Sequence, residues 1–220
     1  MIDLWLVRHG ETDFNRELRF QGHLDAPLNA LGLRQAQRLG EHLAAQDVRP
    51  LLVSDLLRTR QTAEPVATQW QTEALADPLW REQSFGVIEG LTLDEVRERH
   101  PDVVQGWRRL DPDFSPQGGE SRRQFHARVM QAVQALVARC AQQGRSTGVV
   151  VSHGGVLDMV YRSATGQSLA GPRECLIPNA GLNLVRTDGV HFEIVQWAQT
   201  GHLVGLPPSA VYPVATPSRA

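Results

Sequence analysis

Two short apolar runs, each ended by a His-Gly pair, constrain the fold of this chain most strongly. Residues 2–7 lead into Arg8-His9-Gly10, and residues 148–151 lead into Ser152-His153-Gly154. A third apolar run covers residues 51–53. Apolar runs that stop abruptly at a loop are typical of buried parallel strands. Ligands bind outside the carboxyl ends of such strands, so both His-Gly pairs are predicted to lie at the ligand-binding edge of one sheet.

Helical patterns between these strands indicate the fold class. Apolar residues recur at helical spacing over residues 33–43 and 125–140. Two capping boxes are present, Thr92 with Glu95 and Ser121 with Gln124. Residues 182–185 and 192–197 alternate roughly and predict a hairpin or edge pair. The order of elements predicts an α/β fold, a three-layer α/β/α sandwich around a mostly parallel sheet of about six strands, with one edge strand antiparallel.

Length and composition limit the number of domains and the classes of partner. With 220 residues, 41% apolar side chains and a net charge of -2, the chain is predicted to form one domain over residues 1–205 and a proline-rich mobile tail over residues 206–220. This composition suggests no nucleic-acid partner and no membrane partner. Cys140 and Cys175 lack metal-ligand or disulfide-framework spacing, so free thiols in a reducing cytoplasm are expected. A homodimer is the default expectation for the oligomeric state.

The chain contains no lysine, and its 22 basic residues are all arginine. This excludes lysine-dependent phosphate loops, Schiff-base chemistry on lysine and a lysine general base. Arginine binds carboxylate and phosphate through planar, two-point contacts. An anionic ligand of this protein is therefore expected to be held by guanidinium groups.

Polar groups converge on the predicted ligand-binding edge. Arg8 and His9 follow the first strand. After the second strand, Ser54-Asp55 are expected to cap a helix and to place Arg58 in its first turn, facing the pocket. His153 lies where the last apolar run enters a helix, whose N-terminus attracts anions. Two arginines, two histidines and a helix N-terminus together predict a binding site for a dianion.

A series of short motifs follows the chain from its first strand onward. They are Leu6-Val7-Arg8-His9-Gly10-Glu11-Thr12, Asn15, Gln21-Gly22, Ser54-Asp55-Leu56-Leu57-Arg58-Thr59, Arg81-Glu82, Phe85-Gly86, Glu89-Gly90, Gly118-Gly119-Glu120-Ser121 and Ser152-His153-Gly154. In this order the motifs resemble those of the histidine phosphatase superfamily, the phosphoglycerate mutase-like group, over nearly the whole chain to about His202. A lone Arg-His-Gly is a weak signal, whereas the whole series is highly specific.

The resemblance implies a catalytic set. It implies that His9 is the nucleophile and becomes phosphorylated, and that Glu82 donates a proton to the leaving oxygen. It also implies that Arg8, Arg58 and His153 bind the transferring phosphoryl group. The substrate-binding candidates are Asn15, Gln21, Gly22, Gly154, Arg60 and Phe85. The family needs no metal, and no cofactor is expected.

Elementary electrostatics agrees with these roles. A phosphomonoester carries nearly two negative charges, so permanent cations must bind its oxygens and the nucleophile should be neutral. Free histidine titrates near pH ~6.5, and the neighbouring Arg8 and Arg58 are expected to favour the neutral form of His9. The predicted activity is therefore hydrolysis of a small phosphorylated metabolite through a phosphohistidine intermediate.

Three other functions stay open at this point. Phosphoglycerate mutases of the same group typically carry a lysine where Leu93 stands and a long proline-rich insertion where only residues 111–119 occur, and both departures favour a phosphatase. A non-catalytic phosphoester-binding module would have little use for both a nucleophile and a proton donor. A zinc or dinuclear hydrolase built from His9, His153 and nearby acids lacks the usual metal-ligand motifs.

Residues 91–116 are expected to cover the pocket and to set its specificity. Within them, Trp107, Arg108 and Arg109 admit either a sugar phosphate or a nucleoside-like phosphate as substrate. The arginine pair could contact an anionic substrate, but a solvent-facing position is the favoured interpretation.

Overall fold

Six strands form one sheet in the computed structural model, which describes residues 1–46 and 48–210. The strands are β1 (Ile2–Arg8), β2 (Leu51–Val53), β3 (Leu75–Ala76), β4 (Thr147–Ser152), β5 (Leu182–Thr187) and β6 (Phe192–Gln199). Their order across the sheet is β3-β2-β4-β1-β5-β6. The strand at Leu75–Ala76 was not predicted, because two residues are too short to show a period.

Strand direction brings the two His-Gly pairs together. β1, β2, β3 and β4 pair in parallel, whereas β5 runs antiparallel to β1 and β6 antiparallel to β5. The predicted mostly parallel sheet with antiparallel pairing at one edge is therefore confirmed. In the β1–β4 register Arg8 lies opposite Ser152. The histidine that follows each strand consequently leaves the sheet at the same edge.

Helices cover both faces of the sheet, which confirms the three-layer sandwich. They are α1 (Asp13–Arg16), α2 (Ala30–Leu43), α3 (Leu57–Trp70), α4 (Leu93–Arg99), α5 (Pro101–Arg108), α6 (Arg122–Gln142) and α7 (Gly154–Thr165). Leu39 of α2 and Val66 of α3 pack with Val7 on one face. Phe125 of α6 and Leu157 of α7 pack on the other face. Successive strand residues point to opposite faces, so both layers are anchored by the same buried strands.

Local helix signals were confirmed where the capping partner is nearby in sequence. The boxes at Thr92 and Ser121 are formed as predicted. The predicted Ser54-Asp55 cap of α3 is wrong, since the helix begins after Leu56 without a side-chain cap from its own segment. Instead the Leu57 N–H donates to Asp25 Oδ1 at 2.5 Å. A partner more than thirty residues away cannot be found from local spacing.

A third apolar cluster lies beside the carboxyl edge of the sheet. It contains buried Ile88, Val96 and Val103, with the partly buried rings of Phe20 and Trp107 packed against it. Trp107 belongs to α5, which begins at Pro101, two residues after the end of α4. Proline is well tolerated at the first helical position, so it both stops the first helix and starts the second.

The described part of the predicted tail lies against the domain. The Gln35 side-chain amide donates to the Ser209 hydroxyl at 2.7 Å, and the Ala210 N–H donates to Glu11 Oε2 at 3.1 Å. Residues 211–220 of that prediction lie outside the described residues. Across the described ranges, no helix has the length and apolar character needed to cross a membrane.

Candidate active site

A cavity of about 430 Å³ opens at the carboxyl ends of β1 and β4. The structure brings together on its walls most of the residues predicted from the sequence, namely Arg8, His9, Asn15, Gln21, Gly22, Arg58, Glu82, Phe85 and Gly154. His153 is fully buried directly behind them, with its ring centroid 5.3 Å from that of His9. Arg60 is exposed and does not line the cavity. Helical residues two apart point to different sides, so Arg60 faces away from the pocket that Arg58 enters.

One hydrogen bond fixes the tautomer of His9. Its Nδ1 lies 2.7 Å from the carbonyl oxygen of Gly10. A carbonyl only accepts hydrogen bonds, so the proton of the neutral imidazole is on Nδ1. Nε2 consequently keeps its lone pair. The ring is only 3% exposed, and an imidazole held in this way has a nucleophilic nitrogen of fixed orientation.

The electrostatic environment keeps His9 neutral. Burial lowers the pKa of His9 well below its usual value, and the positive charges of Arg58 and Arg8 lower it further. The bond to Gly10 opposes this shift without reversing it. The predicted effect of the two arginines is thus confirmed, although burial is the larger cause. A neutral imidazole can attack phosphorus at neutral pH.

Backbone carbonyls hold the two arginines beside this ring. Arg8 Nη1 donates to the carbonyl of Ile177 at 2.6 Å. Arg58 donates to the carbonyls of Leu24 at 2.7 Å and Gly22 at 2.8 Å. Both guanidinium groups are buried. Because a carbonyl has no net charge, these bonds fix the position of each cation without cancelling its charge.

His153 is held differently from His9. Its Nε2 lies 2.8 Å from the Ser54 hydroxyl, and its Nδ1 has no hydrogen-bond partner among the described residues. Burial lowers its pKa well below the usual value, followed by the positive charge of Arg58. The ring is therefore neutral at physiological pH and keeps one nitrogen without a hydrogen bond to the described chain.

Glu82 reaches the start of α7 through a gap that only glycine leaves. Its Oε2 accepts from the N–H of Gly155 at 3.0 Å, and its Oε1 accepts from the N–H of Gln83 at 2.9 Å. A Cβ on Gly155 would lie 2.1 Å from Glu82 Oε1. Sequence reasoning missed this requirement, although the second glycine after His153 was a visible signal.

The loop carrying Glu82 is fixed by a partly buried ion pair. Arg128 of α6 donates to the carbonyls of Leu79, Arg81 and Glu82 at 2.9–3.0 Å. The same guanidinium binds both carboxylate oxygens of Glu120, at 2.8 and 2.6 Å. The Glu in the Gly-Gly-Glu-Ser motif therefore positions the Glu82 loop through Arg128, which sequence reasoning did not identify.

Asn15 and Gln21 line the cavity, and the amide oxygen of each has a hydrogen-bond partner within the protein. The Thr12 hydroxyl lies 3.1 Å from Asn15 Oδ1 and 3.0 Å from Gln21 Oε1. Asn179 also donates to Asn15 Oδ1, at 3.3 Å. With both oxygens engaged, the amide nitrogens of Asn15 and Gln21 are the groups left to donate to an anion.

Gly22, the next residue, adopts a left-handed conformation with φ of 48°. A Cβ there would lie 2.1 Å from Glu89 Oε1. That carboxylate accepts from the backbone N–H groups of His23 at 3.0 Å and Phe85 at 2.9 Å. Glu89 thus ties two segments of the cavity wall together rather than facing the reacting atoms.

Residues 4–200 match the family model described as the histidine phosphatase superfamily (branch 1). The chain belongs to the histidine phosphatase superfamily. The resemblance inferred from the motif series is confirmed, and the match runs from within β1 to the end of β6.

Relatives and solved structures of this family match along nearly their whole length. A Klebsiella pneumoniae protein named "Probable phosphoglycerate mutase GpmB" is 32% identical over 209 residues, which is 93% of this chain and 91% of the relative. The Arabidopsis thaliana "Metal-independent phosphoserine phosphatase" is 34% identical, covering 92% of this chain and 84% of the relative. A solved mycobacterial glucosyl-3-phosphoglycerate phosphatase is 27% identical with a TM-score of 0.77, covering 91% of this chain and all of that one.

The cover of this histidine phosphatase cavity comes from the segment predicted for it, and the arginine pair of that segment is exposed, as the favoured interpretation of the sequence has it. Trp107, Leu110 and Phe114 line the cavity, whereas Arg108 and Arg109 do not. Three arginines that sequence reasoning missed, Arg19, Arg122 and Arg173, do line it. In the described ranges no group of three or more His, Cys, Asp or Glu side chains is arranged to hold a metal ion.

Proposed function

We propose that this protein hydrolyses the phosphomonoester of a small metabolite through phosphorylation of His9. The observation that carries the proposal is the neutral, Nδ1-protonated imidazole of His9, whose Nε2 lone pair lies in a cavity with two buried guanidinium groups. Relatives named as a phosphoserine phosphatase and a glucosyl-3-phosphoglycerate phosphatase support hydrolysis as the reaction.

In the first step His9 Nε2 attacks the phosphorus atom. The new N–P bond forms as the P–O bond to the leaving alkoxide breaks, and Glu82 in its protonated form gives its proton to that oxygen. Arg8 and Arg58 bind the equatorial oxygens and stabilise the charge of the transition state. The amide nitrogens of Asn15 and Gln21 are suited to donate to the same group.

In the second step water attacks the phosphorus of phosphohistidine. Glu82, now a carboxylate, accepts a proton from this water, and the N–P bond breaks. The electron pair of that bond returns to Nε2, so His9 regains its neutral form and inorganic phosphate leaves. No electron transfer and no further reactant is needed.

Phosphoglycerate mutase is the alternative function within the family. Several relatives carry the name GpmB, so phosphoryl transfer between two hydroxyls of one substrate deserves a test. Leu93 at the position typical of a mutase lysine and the short stretch over residues 111–119 favour hydrolysis. Rapid formation of 2-phosphoglycerate from 3-phosphoglycerate and a bisphosphorylated primer would show that the protein is a mutase and overturn the preference for hydrolysis.

The proposal is tested with a generic aryl phosphate in excess chelator. The unaltered protein should release phosphate, and His9→Ala should lose at least about 10⁴-fold in kcat, since removal of a catalytic nucleophile costs that much or more. His191→Ala, an exposed histidine outside the cavity, is the matched control and should keep full activity. Undiminished turnover by His9→Ala would refute the assignment, and recovery only with added divalent metal would favour a metal hydrolase.

Residence in the cytoplasm and assembly as a homodimer stay predictions. Cys140 and Cys175 are both free thiols and buried. Cell fractionation with an antibody to the native protein tests the first prediction, and sedimentation analysis tests the second.

A further inference from the structure

The wall beside Arg8 carries positive charge that the reaction does not use. Arg173 borders the cavity next to the start of α7. The Nη1 of Arg173 and the Nε of Arg8 each lie 3.4 Å from the position that a Cβ on Gly154 would take. The two guanidinium groups are therefore close neighbours, one on the phosphoryl-binding side and one beyond it.

Two guanidinium groups beside this wall lie within 4 Å of the Asp158 carboxylate, and a third lies within electrostatic range of it. Arg162 Nε donates to Asp158 Oδ2 at 3.0 Å, whereas Arg173 Nε lies 3.8 Å from Asp158 Oδ1, beyond hydrogen-bond distance. The third is Arg122, whose pKa is lowered by burial first and then by the charge of Arg162. Three cations and one anion leave an excess of two positive charges on this wall of the described structure.

Backbone contacts hold these cations in place before any ligand arrives. Arg122 donates to the carbonyls of Leu169, at 2.9 Å, and Gly171. Arg162 donates to the carbonyl of Pro172 at 2.6 Å. The loop that ends at Arg173 is thus fixed by two arginines from two different helices. A cation on a fixed support loses little conformational entropy when it binds an anion.

Arg173 itself is available to a ligand. Its side chain is 29% exposed, and its buried Nε donates to no described atom. A partly exposed guanidinium forms its strongest contacts with planar anions, and a carboxylate supplies two oxygens at the matching spacing. Arg173 lies close to Arg8, which binds the phosphoryl group in the proposed mechanism. A carboxylate on Arg173 would therefore be only a few bonds away from that phosphoryl group in the substrate.

We infer that Arg173, assisted by Arg122, forms a subsite for a carboxylate carried by the phosphomonoester substrate. The inference rests on the proposed function and narrows it to phosphorylated carboxylic acids. The aromatic cover, including Trp107 and Phe114, then closes over the carbon skeleton between the two anionic groups.

A matched pair of competitors tests this subsite during aryl phosphate hydrolysis. 3-Phosphoglycerate and glycerol 3-phosphate differ only in having a carboxylate or a hydroxymethyl group at the same carbon. At about 0.15 M salt, where the Debye length is about 8 Å, long-range attraction is largely screened. The unaltered protein should be inhibited about 10- to 100-fold more strongly by 3-phosphoglycerate, as expected for hydrogen bonds to a charged group.

Arg173→Met should reduce the ratio of the inhibition constant of glycerol 3-phosphate to that of 3-phosphoglycerate to no more than about threefold. The ratio is measured within one variant, so it does not depend on that variant's overall activity. Arg123→Met is the matched control, because Arg123 lies one residue after Arg122 but pairs with Asp113 on the surface. It should keep the ratio of the unaltered protein.

The outcomes separate the subsite from the proposed function. A ratio near one in the unaltered protein, or an unchanged ratio in Arg173→Met, overturns the carboxylate subsite while aryl phosphate turnover leaves the hydrolase assignment standing. Absence of aryl phosphate turnover in the unaltered protein overturns both.

Discussion

His9 and His153 occupy equivalent places in the fold but differ in their hydrogen bonds. Each follows directly on a buried strand, and the two strands pair in parallel. His9 uses Nδ1 to bind the carbonyl of Gly10, which leaves the lone pair on Nε2. His153 uses Nε2 to bind the Ser54 hydroxyl. Strand geometry therefore delivers both rings to the site, and in the proposed mechanism the hydrogen-bond partner of each ring decides which one can attack.

The largest expected difference is between the two alanine variants. In the proposed mechanism His9→Ala removes the atom that accepts the phosphoryl group, whereas His153→Ala removes only a group expected to bind it. We expect His153→Ala to lose about 10²- to 10³-fold in kcat, the range for one transition-state hydrogen bond, and to keep phosphoenzyme formation. Single-turnover kinetics measures both quantities. Equal losses in the two variants would mean that the hydrogen bonds do not distinguish the rings.

Glu82→Gln should have the next largest effect, and it should depend on the leaving group. We expect a loss of roughly 10²–10⁴-fold with an alkyl phosphate, because the alkoxide needs a proton to leave. The loss in the phosphorylation step should be smaller with p-nitrophenyl phosphate, whose leaving group needs no proton. Glu64→Gln on the exposed side of α3 is the control. Equal losses with both substrates would contradict the role of proton donor.

Ser54→Ala sharpens the comparison, since it removes the hydrogen bond that His153 has and His9 lacks. We expect about a fivefold decrease in kcat, the effect of one ordinary hydrogen bond, with phosphorylation still at His9. Ser163→Ala is the matched control, because its hydroxyl lies 2.9 Å from His126 Nε2 outside the cavity. A loss as severe as that of His153→Ala would show that Ser54 does more than orient the ring.

The smallest difference is expected in acid, where the two histidines behave alike. Burial, followed by the charge of Arg58, lowers the pKa of both rings in the folded protein, while unfolded histidine titrates near pH ~6.5. The unfolded state therefore binds protons first, and the free energy of unfolding should fall as the pH drops below about 6.5 towards the lowered folded pKa values.

Urea unfolding between about pH 7.5 and 5.5 measures this dependence. His153→Gln should flatten it, whereas His191→Gln, an exposed histidine, should leave it unchanged. Identical slopes in all three proteins would contradict the assigned pKa shifts.

The sequence predicted what depends on local pattern and on the ends of strands. Apolar runs located the strand ends at His9 and His153, and the capping boxes at Thr92 and Ser121 were confirmed because donor and acceptor lie three residues apart. The interpretation of Arg60 as substrate-binding ignored its direction on the helix.

Other features depend on contacts between distant segments. The Asp25 cap of α3 joins residues far apart in sequence. Arg122 and Arg173 meet only because α6 and the loop before β5 pack beside α7. Neither arginine lies in a recognisable motif, so no spacing rule could have assigned them to the cavity. The cavity residues that belong to the motif series were therefore more predictable than the rest of the cavity wall.

The most direct measurement of the central claim is the identity of the residue that carries phosphate during turnover. The protein is mixed with substrate, quenched rapidly in alkali, which preserves phosphohistidine, and digested for mass spectrometry. Phosphate should be found on His9, and the label should be lost in acid. Phosphate on His153, or turnover without any phosphorylated residue, would contradict the account.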